Sequence, residues 1–214
     1  MSTSTSARFV ALIPVKPTAT AKSRLAAVGD AARRSLVAAF VADTVSAAAS
    51  SPLVEAVLVI TDDHVLAVEL ASLGASVIPD ATTEDLNESL VQAAAEARRR
   101  WPALRPVALC ADLPAMRTEE LTGALAVAVE HDTAFVADSD GSGTTLLAAR
   151  DLDSFVPRFG AGSREAHLLE GAHEVVEIDV PTLRRDVDTP ADLAAALRLG
   201  VGARTIEATR GLRL

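Results

Sequence analysis

Apolar residues in this chain form short uninterrupted runs, separated by longer segments in which apolar residues recur at helical spacing. Because neither face of such a run is polar, each run is typical of a strand that is covered on both faces in a parallel sheet. The runs predict strands at Phe9–Val15, Val54–Thr61, Ala75–Ile78 and 107–112.

The segments between these runs carry helix start and stop signals. Asp30 and Asp63 can act as N-caps, and Gly74 is a typical residue just after a helix end. Strands that alternate with helices of about ten residues or more predict a parallel sheet with right-handed crossovers. The predicted helices run from Asp30 to about Ala49, from Asp63 to Gly74, from about Asn87 to Trp101, and from Thr118 to about His131.

The second half of the chain predicts a hairpin, which makes the sheet mixed. A Gly-Ser-Gly turn at 141–143 joins strands at Thr133–Asp138 and Thr145–Ala149. Beyond Asp151 the pattern is looser. It predicts a loop at 155–162, a short helix at Ser163–Leu169, a strand at Val175–Val180, and a last helix that Thr189 caps and Gly200 ends.

The chain length of 214 residues fits one domain. Half of the residues are hydrophobic but only 3% are aromatic, so the core must be built mainly from Ala, Val and Leu. We expect residues 1–7 to form a disordered leader and residues 8–214 to form a single three-layer α/β domain with a mixed, mostly parallel sheet.

Composition also limits which cellular compartment and which binding partners we expect. No apolar run reaches the roughly 18 residues needed to cross a bilayer, and the N-terminus lacks the pattern of a signal peptide. The single cysteine, Cys110, excludes an internal disulfide, so we expect a cytoplasmic protein without a membrane partner. The net charge of −9 disfavours a nucleic acid as a partner.

Three aspartates are candidates for a metal site. Asp112 stands at the carboxyl end of the central strand, where ligands of such sheets bind. Asp186 and Asp188 lie two residues apart, so in extended chain both point to one side, about 6–7 Å apart. Converging carboxylates would repel each other, and Mg²⁺ with its preference for oxygen ligands would resolve this. The alternative is a structural role, with Asp188 capping the last helix and Asp186 pairing with Arg184.

Lys16, Lys22 and Arg24 follow the first strand and could neutralise a triphosphate. Neither glycine-rich phosphate-binding motif occurs, so side-chain cations would have to replace the usual cradle of backbone N–H groups. Taken singly, Lys22 and Arg24 are equally compatible with a solvated loop.

Two further loops, at 141–145 and 158–163, offer backbone donors and hydroxyl groups to an anion. The alternative is a plain hairpin turn followed by a helix cap. The four histidines are scattered without H-x-x-x-H spacing, which disfavours a zinc site. No G-x-S-x-G elbow is present, which disfavours a serine hydrolase.

The ordered set of these motifs resembles the guanylyltransferases of coenzyme F-420 biosynthesis, which act on 2-phospho-L-lactate or phosphoenolpyruvate. The resemblance runs from Phe9 to about Gly202 and is strongest to the actinobacterial phosphoenolpyruvate branch. It rests on Pro14–Lys16, Ala21–Leu25, Leu86–Leu90, Ala111–Pro114, Gly141–Thr144, Arg158–Gly160 with Ser163, and Asp186–Pro190.

The resemblance implies a nucleotide-diphospho-sugar transferase-like, Rossmann-like fold. It also implies that GTP and phosphoenolpyruvate react to give enolpyruvyl-2-diphospho-5'-guanosine and pyrophosphate. By the same resemblance, Asp112, Asp186 and Asp188 would hold Mg²⁺, and Thr144, Gly160 and Ser163 would hold phosphoenolpyruvate. Lys16, Lys22 and Arg24 would face the triphosphate and act with Asp112 in catalysis, and Asn87 would lie near the guanosine.

Several alternatives stay open at this level. The acid could be 2-phospho-L-lactate or 3-phospho-D-glycerate, and a molybdenum-cofactor or sugar-phosphate nucleotidyltransferase is a rival enzyme. A catalytically silent nucleotide-binding subunit is a rival of another class. The sequence leaves open whether the chain forms a homodimer, and whether it hands its product to a downstream deazaflavin transferase.

Overall fold

The computed structural model describes residues 7–16, 29–81, 85–210 and 212. Residues 1–6 of the predicted leader, and both Lys22 and Arg24, lie outside them. The strands are β1 (Phe9–Pro14), β2 (Val54–Ile60), β3 (Ser76–Ile78), β4 (Arg105–Leu109), β5 (Thr133–Ala137), β6 (Thr144–Ala149) and β7 (His173–Glu174). The helices are α1 (Asp30–Ala49), α2 (His64–Ser72), α3 (Leu86–Arg100), α4 (Thr118–Ala128), α5 (Ser163–Leu169), α6 (Pro190–Leu199) and α7 (Ala203–Thr209).

These strands form one sheet in the order β3-β2-β1-β4-β6-β5-β7. Strand β4 is the middle strand, and its neighbour β1 pairs in parallel with both β2 and β4, with Leu12 opposite Leu58 and Ala108. Strand β6 pairs antiparallel with β4 and β5, because a short turn between β5 and β6 can only form a hairpin. The predicted mixed, mostly parallel sheet is confirmed.

Helices cover both faces of the sheet, which gives the three predicted layers. On one face Ile13 and Val59 pack in one buried cluster with Val41 of α1 and Leu121 of α4. On the other face Leu12, Leu58 and Ile60 pack with Leu90 and Ala93 of α3. Successive strand residues thus enter opposite cores, as continuous apolar runs require.

The strand predicted at Val175–Val180 is wrong. Pairing with β5 is limited to β7, which covers His173 and Glu174. The next residue, Val175, still donates its N–H to Phe135 at 2.9 Å, but its carbonyl accepts from the Arg184 guanidinium at 2.8 Å. The chain therefore leaves the edge of the sheet after Val175, and the Arg184 side chain takes the place of the next strand-to-strand hydrogen bond.

Helix α7 was not predicted from the sequence, and its N-terminus is held by α1. The buried Asp43 carboxylate accepts the N–H groups of Arg204 at 3.2 Å and Thr205 at 2.8 Å. A side chain at Gly202 would overlap that carboxylate, so glycine is required by close approach. The contact fixes the C-terminal region against the core.

Among the described residues, no helix is both long enough and apolar enough to span a lipid bilayer.

We predict that Asp43→Ala lowers the free energy of unfolding by about 1–3 kcal/mol, because two N–H groups at a buried helix start lose their acceptor. Asp43→Asn keeps one carbonyl oxygen and should lose less. Urea unfolding monitored by circular dichroism measures both changes.

Asp153→Ala is the matched control, since the Asp153 side chain is 93% exposed and pairs with Arg98 at the surface. Its effect should stay below about 0.5 kcal/mol. Equal unfolding midpoints for Asp43→Ala and Asp153→Ala would refute the capping role.

Candidate active site

A cavity of about 720 Å³ opens at one edge of the sheet. Its wall includes Cys110, just after β4, Asp138, just after β5, and Thr144, the first residue of β6. Because β6 runs antiparallel, its amino end lies beside the carboxyl ends of its neighbours. The cavity therefore lies where ligands of open α/β sheets bind.

A second, more apolar hollow of about 250 Å³ adjoins the first. Leu86, Cys110 and Phe159 line both, so the two spaces meet at these residues. Lys16 and Asp112 line the smaller hollow. The two spaces together can hold two ligands that approach each other at the ends of β1 and β4.

A main-chain hydrogen bond brings the predicted aspartates into one region. Val187 donates its N–H to the Asp112 carbonyl at 3.1 Å. The Val187 side chain is fully buried in a cluster with Phe40. Its neighbours Asp186 and Asp188 both line the larger cavity, as alternation along extended chain requires.

The end of β4 is shaped by α1. The predicted strand extended to Asp112, but β4 ends at Leu109. The next residue, Cys110, still reaches β6, where its N–H donates to the Thr145 carbonyl. Leu113 then donates its N–H to the Thr44 hydroxyl of α1 at 3.1 Å. Because that bond turns the chain away from the sheet, Asp112 lies at the hollow rather than in the ladder.

The alternative in which Asp188 caps the last helix is wrong. The N-cap of α6 is Thr189, whose hydroxyl accepts from the Asp192 N–H at 3.2 Å in a capping box. The Arg184 guanidinium donates to the carbonyls of Ala137 and Val175, at 3.0 and 2.8 Å. Capping and loop anchoring are therefore performed by Thr189 and Arg184.

Lys16 extends from the end of β1 and meets a buried acid. Its Nζ donates to Asp80 Oδ2 and to Ser89 Oγ, both at 3.0 Å. Asp80 is 6% exposed, which makes the pair partly desolvated. This contact fixes the ammonium group at the smaller hollow, where Asp112 also lies.

The structure brings Thr144, Gly160 and Ser163 together around the larger cavity. Gly160 has φ of 129°, a conformation that only glycine adopts readily, and its carbonyl accepts from the Ser163 N–H at 3.1 Å. Arg164 donates its N–H to the Ser142 carbonyl at 3.2 Å, which ties the two loops to each other. The two loops predicted to offer donors thus form one wall.

Asn87 contacts this wall directly. Its amide Nδ2 donates to the Phe159 carbonyl at 3.0 Å, and its Oδ1 accepts from the Phe159 N–H at 2.8 Å. Both ends of the side chain therefore hold the 158–163 loop. A contact of Asn87 with guanosine stays a prediction from the family resemblance.

Sequence reasoning missed two residues of this wall. The Asp138 carboxylate accepts the N–H groups of Ser142 at 2.9 Å and Gly143 at 2.8 Å, and so shapes the turn before Thr144. Its position at the end of the strand predicted at Thr133–Asp138 was a usable signal. His167 is 1% exposed and lies behind Thr144, and nothing in the local sequence marks it.

Burial lowers the pKa of His167 to about 4, and the nearby Arg158 charge acts in the same direction. A buried imidazole with this pKa is neutral at pH 7. His167 therefore contributes hydrogen bonds rather than positive charge to the cavity wall.

The sequence disfavoured a zinc site because the histidines are scattered, but pairing of β5 with β7 brings two of them together. The rings of His131 and His173 stack with centroids 3.7 Å apart and an angle of 7°, and His173 Nε2 lies 2.6 Å from Glu177 Oε1. These three residues carry ligand atoms within 4.8 Å of one another. Since lone pairs of parallel rings do not converge, the group is a stacked, carboxylate-paired imidazole cluster.

The chain is similar to known proteins along nearly its whole length. The model of the family described as "Guanylyl transferase CofC like" matches residues 9–214. A phosphoenolpyruvate guanylyltransferase of Thermomonospora curvata is 48% identical over 194 residues, which cover 91% of this chain and 85% of that protein. A phosphoenolpyruvate guanylyltransferase of Streptomyces scabiei is 45% identical over 210 residues, which cover 96% and 97%.

Among solved structures, the fold is similar to a protein from Desulfovibrio desulfuricans G20 that is provisionally described as a nucleotide-diphospho-sugar transferase. The TM-score is 0.67 at 21% identity, over 96% of this chain and 91% of that one. The fold expected from the resemblance is confirmed.

We predict that Asn87→Leu loosens the 158–163 loop, because two hydrogen bonds to the Phe159 backbone are lost. Hydrogen exchange of the Phe159 amide should accelerate at least tenfold, which corresponds to about 1.4 kcal/mol of local stability. Mass spectrometry of peptides that cover residues 155–163 measures this.

Gln92→Leu is the matched control, because Gln92 lies five residues after Asn87 in the same helix. Its side chain forms hydrogen bonds with the backbone of Ala81 and Pro79, and not with Phe159. It should leave exchange at Phe159 unchanged. Unaltered exchange in Asn87→Leu would show that the loop does not depend on this side chain.

Proposed function

The chain belongs to the family of CofC-like guanylyl transferases and is a nucleotidyltransferase, and from this premise we propose that it transfers GMP from GTP to phosphoenolpyruvate. The products would be enolpyruvyl-2-diphospho-5'-guanosine and pyrophosphate, in coenzyme F-420 biosynthesis. One observation carries the proposal: a cavity walled by two loops with hydroxyl groups and backbone N–H groups meets a hollow with Lys16 and Asp112.

The chemistry requires two polyanions to approach in line. A phosphate oxygen of phosphoenolpyruvate attacks the α-phosphorus of GTP, a new P–O bond forms, and the bond to the bridging oxygen of pyrophosphate breaks. The attacking phosphate is already an anion at neutral pH, so no general base is needed. Catalysis of this kind is mainly positioning and stabilisation of charge, and the site contains the groups for both.

We assign the acid to the larger cavity. The hydroxyl groups of Thr144 and Ser163 and the backbone at Gly160 lie on one wall, where they can donate to a carboxylate or phosphate. Asp138, Asn87 and the bond between Arg164 and Ser142 hold that wall in place. The donors are thus fixed before the acid arrives, which lowers the entropic cost of binding.

We assign the triphosphate to the smaller hollow and its opening. Lys16 offers a positive charge there, held by Asp80. The roles of Lys22 and Arg24 beside the triphosphate, and of Asn87 near the guanosine, rest on the family resemblance. The two cations, Lys22 and Arg24, would help to neutralise this second polyanion.

The residues present fit a magnesium site. Asp112, Asp186 and Asp188 supply carboxylate oxygens only, which is the donor set Mg²⁺ prefers, and the bond between Val187 and Asp112 joins the two segments that carry them. Bound there, the ion would neutralise charge on the α-phosphate and the leaving pyrophosphate. The protein's part would be to direct these three carboxylates to the ion and to leave coordination positions for phosphate oxygens.

The choice of phosphoenolpyruvate over 2-phospho-L-lactate or 3-phospho-D-glycerate is supported by the names of the curated relatives. A cytoplasmic location, a homodimer and a hand-off of the product to a deazaflavin transferase belong to the same proposal. A molybdenum-cofactor or sugar-phosphate nucleotidyltransferase is less well supported, because the match to the guanylyl transferase family covers residues 9–214.

We predict that the purified protein releases pyrophosphate from GTP and Mg²⁺ when phosphoenolpyruvate is present. With 2-phospho-L-lactate and 3-phospho-D-glycerate, kcat/KM should be at least about tenfold lower, the scale on which pocket contacts separate small acids. A coupled pyrophosphate assay with each acid, repeated with ATP, CTP and UTP, measures both preferences.

Highest turnover with another acid would reassign the substrate within the family. Calorimetric binding of GTP without turnover of any acid would instead favour the silent nucleotide-binding subunit.

We predict that Asp112→Asn and Asp186→Asn each reduce kcat at least ~100-fold, as expected when one strong electrostatic group is lost. The Mg²⁺ concentration for half-maximal rate should rise, and EDTA should abolish turnover of the unaltered protein. Steady-state kinetics over a Mg²⁺ titration give both values.

Asp179→Asn serves as the control, since Asp179 is exposed and lies outside both cavities. Its kinetics should match those of the unaltered protein. Undiminished turnover in Asp112→Asn would remove that residue from the metal site.

A further inference from the structure

His167 lies behind the wall of the larger cavity and uses both ring nitrogens. Nδ1 lies 3.0 Å from the Thr144 hydroxyl oxygen, and Nε2 lies 3.1 Å from the Arg158 backbone nitrogen. The ring is 1% exposed and packs between Phe135 and Phe159, with centroids 5.6 Å away in each case. All four of these contacts are made within the protein.

These contacts determine which ring nitrogen carries the proton. A backbone N–H can only donate, so Nε2 of His167 must accept from Arg158 through its lone pair. The proton of a neutral ring is then on Nδ1, which donates to the Thr144 hydroxyl oxygen. The low pKa of His167 agrees with this neutral form, because burial disfavours a charged ring.

The orientation of the Thr144 hydroxyl follows. An oxygen that accepts from Nδ1–H keeps its own hydrogen for donation elsewhere, and Thr144 lines the larger cavity. A carboxylate or phosphate oxygen offers only acceptors, so it binds a hydroxyl that presents hydrogen and repels one that presents a lone pair. A free hydroxyl can donate or accept a hydrogen bond, and the ring would leave this one able only to donate to the ligand.

We propose that His167 is a positioning residue that fixes the Thr144 hydroxyl as a hydrogen-bond donor to the anionic acid. The inference rests on the proposed function for the identity of that acid. The same ring ties the Arg158 backbone, at the start of the 158–163 loop, to β6. One buried side chain therefore sets both the donor direction and the spacing of the two loops.

The first experiment tests the tautomer in the full-length protein without substrate. Long-range ¹H–¹⁵N spectra of histidine-labelled protein at pH 7, with His167→Gln for assignment, distinguish the two nitrogens. We expect one histidine with Nδ1 protonated and Nε2 unprotonated. A proton on Nε2, or a doubly protonated ring, would overturn the proposal whatever the enzyme acts on.

The second experiment separates the substrates. Thr144→Val and His167→Leu should each raise the KM for the acid at least about tenfold, the value of one hydrogen bond to a charged group, while the KM for GTP changes less than about threefold. His167→Asn, whose amide can still donate near the Nδ1 position, should recover part of the acid affinity. His64→Leu, an exposed histidine outside both cavities, is the control.

The double variant shows whether His167 acts through Thr144 or whether its loss merely disrupts the site. If His167 acts through Thr144, the pair Thr144→Val with His167→Leu should raise the KM for the acid clearly less than the product of the two single effects. Additive losses, or equal rises in both KM values, would contradict the proposal. If His167→Leu does not fold, the comparison of His167→Asn with Thr144→Val and their double variant answers the same question.

These outcomes are distinct from failure of the proposed function. If the unaltered protein turned over another acid, the KM comparison would use that acid. If it turned over none, the reaction would be wrong, while the spectra would still confirm or reject the orientation of His167.

Discussion

A single main-chain hydrogen bond joins the two parts of the chain that the active site needs. The Val187 N–H reaches the Asp112 carbonyl, and the Val187 side chain is anchored in a buried cluster shared by α1 and α6. Asp186 and Asp188 therefore leave the core on the cavity side, next to the end of β4. This hydrogen bond places two segments that are more than seventy residues apart in sequence next to each other.

The reversed direction of β6 is the second constraint. Only an antiparallel strand next to β4 brings its first residue, Thr144, to the edge where the parallel strands end. Buried polar side chains then fix the loops at that edge: Asp138 holds the turn before Thr144, Asn87 holds Phe159, and His167 bridges both. Each of these groups is satisfied within the protein, so the donors facing the cavity are preorganised.

Local sequence was informative wherever the pattern and the burial agreed. The runs at β1, β2 and β4 predicted the parallel core, and the Gly-Ser-Gly turn predicted the hairpin that makes the sheet mixed. Prediction from the local sequence failed where a side chain, rather than a backbone group, was the hydrogen-bond partner. Arg184 replaces the ladder after β7, Thr44 ends the strand before Asp112, and Asp43 holds α7. The contacts of Thr44 with Leu113 and of Asp43 with Arg204 join residues 69 and 161 positions apart in sequence.

The sequence by itself determined the fold class, and it predicted the edge of the sheet for a candidate site and the residue types that could serve two phosphate compounds. Hydrophobic period and turn residues are local properties, and so is the order of motifs. The tertiary structure alone decided that Asn87 holds the 158–163 loop and that His167 lies behind Thr144. Contacts between residues distant in the chain depend on how the layers pack, and no local pattern encodes that packing.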